Sequence, residues 1–492
     1  MIGGEELLYT ASWPSIRNHD TPEWFSGAKF GIIAHWGPSA IPAWAPMSGE
    51  MNRVVSERGW KYWFKNNAYA EWYLNSMKIK GSPTREHHIS TYGKNGDYES
   101  FVEEFKELSL RCSSDSWSEL FSEAGAKYVV LTAKHHDGFL LWPSKTPNPF
   151  KKGYQLERDF LGELKRSLEK RSIRMGIYYS GGLDWTFANR PIKSFAELLM
   201  AIPQTSQYSS YADSHWQELI EVYRPSILWN DIGYPVLGDL RGVLSKFYNV
   251  CPEGVVNDRF SQHDARLLEV SKLSKNPVTR SIISVILSNV SKRSEANLQD
   301  NTLYYDFRTQ EYETLSEVPS YKWECVRGMG NSFGYNSLED TRQTDPQGLL
   351  ELLVDVVSKN GNLLLGVGAR ADGSIPESQE ESLRTIGKWL KVFGDAIFNT
   401  EPWKINSLET TEGNRVYFTR KQEILFAVVF GPVGSTLTLK GLPTDCEFEF
   451  SLFQGGTKLG YTKSKEDFVI ELGRRPQSEP FVIRMRGSKS CL

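Results

Sequence analysis

Ile227-Leu228-Trp229 runs straight into Asn230-Asp231-Ile232-Gly233. An apolar run that ends in a carboxylate and is then broken by Gly has the pattern of a buried parallel strand whose tip opens into a cleft. Asp231 is therefore a candidate catalytic nucleophile, although Asn-Asp-x-Gly also suits a plain turn. Other apolar runs end in similar polar tips: His35, the neighbours His135 and His136, Tyr178, Trp229 beside Asp231, and Arg259 in Asn257-Asp258-Arg259. Two more carboxylates stand out, Glu71 in Ala70-Glu71-Trp72-Tyr73 and Glu311 in Phe307-Arg308-Thr309-Gln310-Glu311-Tyr312. Acids, neutral hydrogen-bonding groups, one guanidinium and indoles make an inventory for gripping a polyhydroxylated ring. Glycoside hydrolysis needs one carboxylate and one carboxylic acid flanking the scissile bond, about 5–5.5 Å apart when configuration is retained.

Competing chemistries lack their markers. His135-His136-Asp137 looks like part of a metallohydrolase cluster, but adjacent residues on a strand point to opposite faces and no H-x-H or H-E-x-x-H occurs. No catalytic metal and no cofactor are therefore expected. There is no G-x-S-x-G elbow for a serine nucleophile and no P-loop for phosphate.

The elements that must carry these tips come in alternation. Strands are expected over 29–34, 127–133, 174–180, 227–231, 254–259, 304–308, 323–328 and 362–368, with helices over 116–124, 161–170, 348–359 and 376–393. Eight strands alternating with helices point to a distorted (β/α)8 TIM-like barrel. An open doubly wound sheet is the competitor, but no G-x-G-x-x-G follows any strand. After about Thr400 the chain turns to short β-rich runs at 415–419, 424–430, 435–440, 446–453, 468–472 and 481–485. The expected organisation is a barrel over 1–398 and a small antiparallel β-sandwich over 399–492. The segment 261–302, rich in Ser, Lys, Arg and Asn, fits neither and reads as an atypical insertion.

Composition narrows the class. A net charge of −3 gives no reason to expect nucleic acid as a partner. Fifteen Trp, 22 Tyr and 25 Phe leave aromatic faces over for stacking on sugar rings. Five scattered cysteines without C-x-x-C argue against a disulfide framework and a thiolate zinc site. With no evident signal peptide and no apolar run of roughly 20 residues, the expectation is a soluble cytoplasmic protein that does not enter a membrane.

With these residues assembled, the chain resembles the retaining α-L-fucosidases. The blocks that carry the likeness, in order, are Lys29-Phe30-Gly31 through His35-Trp36-Gly37, Ala70-Glu71-Trp72-Tyr73, Lys134-His135-His136-Asp137-Gly138-Phe139, Tyr178-Tyr179-Ser180-Gly181-Gly182-Leu183-Asp184-Trp185, Leu228-Trp229-Asn230-Asp231, Asn257-Asp258-Arg259, Gly328-Met329-Gly330 through Phe333-Gly334-Tyr335-Asn336, and Asn362-Leu363-Leu364-Leu365. The resemblance implies a distorted barrel followed by a sandwich, and a fucosylated oligosaccharide or glycoconjugate as substrate. It makes Asp231 the nucleophile and Glu311 the acid/base. Glu71 is the second candidate for the acid, and Glu313 and Glu324 are more distant ones. It also implies that His35, Glu71, Trp72, His135, His136, Tyr178, Trp229 and Arg259 hold fucose. Two departures stand out: the 261–302 insertion ahead of Glu311, and Gly366-Val367-Gly368-Ala369 where the family more often shows Asn-Val-Gly-Pro. The alternatives are a fucose-binding protein whose catalysis the insertion has impaired, and a metal-dependent barrel hydrolase.

Overall fold

The computed structural model describes residues 8–262, 304–340, 345–443, 446–464, 467–473, 479–487 and 491. Eight strands form one parallel sheet in the order β5-β4-β3-β2-β1-β8-β7-β6. They are β1 Phe30–His35, β2 Tyr128–Lys134, β3 Arg174–Ser180, β4 Ile227–Asp231, β5 Val255–Val256, β6 Arg308–Glu311, β7 Trp323–Gly328 and β8 Gly361–Gly368. The two edge strands meet: Asn257 and Phe307 form an isolated parallel bridge, and Asp306 N–H donates to Val256 O at 2.9 Å. The sheet thus curls into a barrel closed by a thin seam, as the alternation of strands and helices predicts. It is distorted there, because β5 has two residues and residues 312–322 pass from β6 to β7 without a helix.

Side-chain alternation divides the core into two layers. Ile33, Val130, Tyr178, Ile227, Trp229, Val326 and Leu364 pack inside the barrel, while Ile32, Leu131, Ile177, Leu228 and Leu365 pack outward against the helices. Both faces of each strand are covered, which is why these strands read as unbroken apolar runs. The outer helices start where a side chain caps their free N–H groups. Ser113 accepts from Ser116 N–H ahead of Ser114–Glu123, Asp159 from Gly162 N–H ahead of Phe160–Glu169, and Thr205 from Tyr208 N–H ahead of Ser206–Tyr223.

Beyond helix Glu377–Phe393 come two antiparallel sheets. One has five strands, β9 Glu401–Glu409, β10 Arg415–Lys421, β11 Ile424–Phe430, β13 Phe448–Leu452 and β16 Phe481–Gly487, and the other has β12 Thr436–Lys440, β14 Tyr461–Lys463 and β15 Asp467–Glu471. Helix Pro346–Ser358 joins barrel to sandwich, with Glu351 accepting from Tyr417 OH at 2.9 Å and pairing with Arg415.

The cysteine expectation needs correcting. Cys446 and Cys491 form a disulfide, whereas Cys112, Cys251 and Cys325 are free. Spacing in the chain hides this pair. Cys446 precedes β13 and Cys491 follows β16, and the antiparallel register opposes Phe448 to Gly487, so the start of one strand meets the end of the other. The 261–302 insertion, beyond Gln262, lies outside the described residues. No helix of the described residues is long and apolar enough to cross a membrane.

Candidate active site

The C-terminal ends of the strands open onto one pocket of about 220 Å³, lined by Asp231, Glu311 and all eight residues that the resemblance assigns to fucose binding. Period-two alternation along β4 puts Ile227, Trp229 and Asp231 on the interior face. β1 ends in His35, β3 contributes Tyr178, β6 ends in Glu311, and Arg259 follows β5. Glu71 and Trp72 arrive on a 3-10 turn, Ala70–Trp72, within the long β1–β2 connection.

His135 and His136 both reach the pocket, contrary to the opposite-face expectation for neighbours on a strand. β2 stops at Lys134, its register against β3 shifts between Thr132 and Lys134, and Gly138 turns the chain at φ +83°. The two imidazoles consequently stand 3.9 Å apart between ring centroids. Among the described residues no three His, Cys, Asp or Glu converge so as to hold a metal ion.

Arg259 organises the acids. Its Nη1 donates to Asp231 Oδ1 at 2.8 Å and its Nη2 to Glu311 Oε2 at 3.0 Å, so one guanidinium spans both carboxylates. Its Nε donates to Thr309 Oγ1 at 2.9 Å, and Thr309 is fixed in turn by donating its own N–H and hydroxyl to Asp258. Tyr178 OH donates to Asp231 Oδ2 at 2.7 Å, and Tyr69 OH to Glu311 Oε1 at 2.8 Å. Burial and then the neighbouring Asp231 raise the Tyr178 pKa well above its ordinary value, so it remains a donor at neutral pH.

The turn after Asp231 is strained and pinned. Ile232, a β-branched residue, sits at φ +59°, a region that such side chains rarely adopt. Asn230 Nδ2 donates to the carbonyls of Gly233 and Arg259 at 2.8 and 2.7 Å, tying the two tips together. Gly182 N–H donates to Asp231 O at 3.0 Å, and a Cβ at Gly182 would fall 2.1 Å from Ile232 O. Glycine there is a requirement of close approach.

The remaining polar groups of the pocket are neutral or fixed. Burial lowers the His35 pKa to about 3 and drives His135 and His136 well below their ordinary value. Ser180 Oγ donates to Leu183 O and so accepts from His136 Nδ1 at 2.7 Å, which leaves His136 Nε2 as an acceptor 3.9 Å from Asp231 Oδ2. Uncharged imidazoles can hold hydroxyls without repelling a cationic transition state. Burial raises Glu71 to about 7, opposed by Gly334 N–H at 2.8 Å and Ser332 OH at 3.1 Å on its Oε2.

Glu324 and Glu313 stand apart from the pocket. Glu313 is exposed. Glu324 is fully buried beneath the floor, accepting from Trp229 Nε1 at 2.9 Å and Tyr128 OH at 2.6 Å, with its pKa raised to about 7 by burial. It holds Trp229, whose ring stacks on Tyr178 and carries the Arg259 guanidinium 4.8 Å from its centroid. Sequence reasoning missed Tyr69 and Phe333, which also line the pocket. Both were within sight, since Tyr69 immediately precedes the Ala-Glu-Trp-Tyr block and Phe333 lies inside the Gly328–Asn336 blocks.

A parallel barrel whose strand tips bring two carboxylates onto one guanidinium, among neutral imidazoles and indoles, defines a glycoside hydrolase. The α-L-fucosidase family model matches residues 4–395. Tissue α-L-fucosidase of Bos taurus is 31% identical over 436 residues, which is 86% of this chain and 77% of the relative. The crystal structure of Thermotoga maritima α-fucosidase in complex with fucose is 36% identical, with a TM-score of 0.80 over 97% of this chain and 99% of that one. An α-L-fucosidase from Bacteroides thetaiotaomicron, 20% identical with a TM-score of 0.68, shares the fold. The chain belongs to the α-L-fucosidase family of retaining glycoside hydrolases.

Proposed function

We propose that this glycosidase removes terminal α-L-fucose from oligosaccharides or glycoconjugates with Asp231 as nucleophile and Glu311 as acid/base. The observation that carries the assignment is the Arg259 guanidinium shared between the two carboxylates at 2.8 and 3.0 Å. A shared guanidinium holds them near one another, within reach of the single glycosidic bond that they must flank. Asp231 attacks the anomeric carbon while Glu311 gives its proton to the departing oxygen, and the C–O bond breaks. Glu311 then takes a proton from water, whose oxygen displaces Asp231 and releases fucose with its configuration retained. Tyr178 and Arg259 orient Asp231 and receive its charge back at each release.

The fucose-binding alternative requires Glu311 to be displaced by the insertion ahead of it. Glu311 instead lines the pocket and bonds Tyr69 and Arg259, which supports catalysis. Following hydrolysis of an aryl α-L-fucoside by NMR should show α-fucose as first product. Asp231→Gly should abolish turnover and regain it with azide; wild-type activity in that variant would exclude the nucleophile role. Fucose binding without turnover in the wild type would restore the binding-protein alternative, and loss of activity with a chelator would restore the metal-dependent one.

A further inference from the structure

The acidic and basic residues that line the pocket are Glu71, Asp231, Arg259 and Glu311, with the imidazoles of His35, His135 and His136 beside them, and the other lining side chains are apolar or aromatic. Part of the apolar wall lies on the side where a leaving group must depart, the side of Glu311. Asn52 Nδ2 donates to the backbone carbonyl of Glu311 at 2.6 Å, tying helix Met51–Arg58 to the tip of β6, and the adjacent Met51 lines the pocket. Gly59 then turns the chain at φ +78° into helix Trp60–Lys65, so that Trp60 lines the pocket too. The Trp60 ring lies 5.0 Å from that of Phe195, a third lining residue, on helix Phe195–Met200. Met51, Trp60 and Phe195 are partly exposed, whereas Trp63 and Phe64, which also line the pocket, are buried.

We propose that Met51, Trp60 and Phe195 form the leaving-group subsite, and that it takes aglycones presenting a flat apolar face. This rests on the fucosidase reading above. A ring packed on these side chains gains by burial of apolar area, and the one polar group that the three side chains carry is the buried Trp60 indole N–H, which has no hydrogen-bond partner among the described residues. A charged leaving group placed there would lose hydration for that single neutral donor. The flat face can be an aromatic ring or the C–H face of a pyranose, and the two are separable by experiment.

The test compares kcat/KM of the wild type, Trp60→Ala, Phe195→Ala and Met51→Gln on three substrates, with free L-fucose as inhibitor. 4-Nitrophenyl α-L-fucoside carries an aromatic aglycone, an α-L-fucosyl N-acetylglucosamine disaccharide carries a pyranose, and α-L-fucosyl fluoride carries neither. Trp60→Ala and Phe195→Ala should lower kcat/KM on the aryl fucoside about tenfold relative to the fluoride, and the fucose inhibition constant should move less than about twofold. Met51→Gln keeps the helix and changes only polarity, and should shift the same ratio in the same direction by less. A parallel fall on the disaccharide assigns the subsite to both faces; a fall on the aryl fucoside alone assigns it to aromatic aglycones. Equal losses on all three substrates, or no loss on any, would overturn the proposal. A wild type inert towards every α-L-fucoside would overturn the parent reading and this one with it.

Discussion

The pocket end of the barrel and the C-terminal sandwich are built on opposite terms. Around the pocket His35, Glu71, Asp231 and Glu324 are all buried, and Ile232 occupies a left-handed conformation. Each of these features costs stability unless its surroundings compensate, and each serves to aim a polar group. In the sandwich, Val416, Phe418, Leu425, Ala427 and Val429 are fully buried and apolar. They contribute cohesion and touch no chemistry. The lesson is a division of labour: rate should depend on the first region and stability on the second.

The sharpest way to break that division is at the acids. Glu311→Ala should lower kcat/KM on a fucosyl disaccharide roughly 10²–10⁴-fold and spare aryl fucosides with good leaving groups, which need no protonation. Thermal unfolding should barely change. Glu71→Ala should slow both substrates alike, because Glu71 is held by Gly334 and Ser332. If the leaving-group dependence appears in Glu71→Ala instead, the two roles exchange.

The converse test lies in the sandwich. Phe418→Ala should cost about 3–5 kcal/mol in denaturant unfolding by leaving a cavity, with kcat per folded molecule unchanged. A large loss of kcat there would mean the two regions are coupled through helix Pro346–Ser358.

Next in size is Gly182→Ala, at the join between the β3 and β4 tips. A Cβ 2.1 Å from Ile232 O must push the turn after Asp231. A displacement of about 1 Å at a reacting group costs on the order of 10²-fold in rate. Wild-type kcat in this variant would show that the turn can relax without moving Asp231.

The smallest effect is expected beneath the floor. Glu324→Gln presents one oxygen and one NH2 where Trp229 and Tyr128 now meet two oxygens, so the amide oxygen can keep Trp229 while the NH2 donates to the Tyr128 hydroxyl, and kcat should fall by less than about tenfold. The same variant reports on pH. Glu71 and Glu324 have folded pKa values raised to about 7. The native state therefore keeps their protons longer than the unfolded chain does, and stability falls as pH rises from about 4.5 through about 7. The depressed histidines act in the opposite sense, but only below about 6.5. Between about pH 6.5 and about pH 7 the wild-type Tm should decline, and Glu324→Gln should decline less; equal slopes over that interval would count against a buried, raised Glu324.

Legibility in the sequence followed the same boundary. Strands buried on both faces, such as β2, β3 and β8, are largely apolar runs and are readable nearly to the residue. β9 gives no strand signal because Glu401–Glu409 has a single buried residue, Trp403, among exposed and half-buried positions. β6 begins later than the 304–308 expectation. The carboxylate of Asp306 accepts from Val256 N–H and Tyr248 OH, fixing that residue at the barrel seam ahead of the strand. Met51, Trp60 and Phe195 gave no signal as pocket residues, since they lie in the β1–β2 and β3–β4 connections, outside the elements expected from the sequence.

What the sequence determined by itself is which side chains stand at the strand tips. Alternation along a strand is a local property, so burying Ile227 and Trp229 inside the barrel obliges Asp231 to emerge on the same face. The tertiary structure alone decided how those tips combine. Arg259 lies 28 residues from Asp231 and 52 from Glu311, and it bonds both because the curled sheet brings the ends of β4, β5 and β6 to one mouth. The register shift at the end of β2 turns His135 and His136 inward together, and the antiparallel pairing of β13 with β16 opposes Cys446 to Cys491. These pairings depend on register and strand order, which no local pattern of residues records.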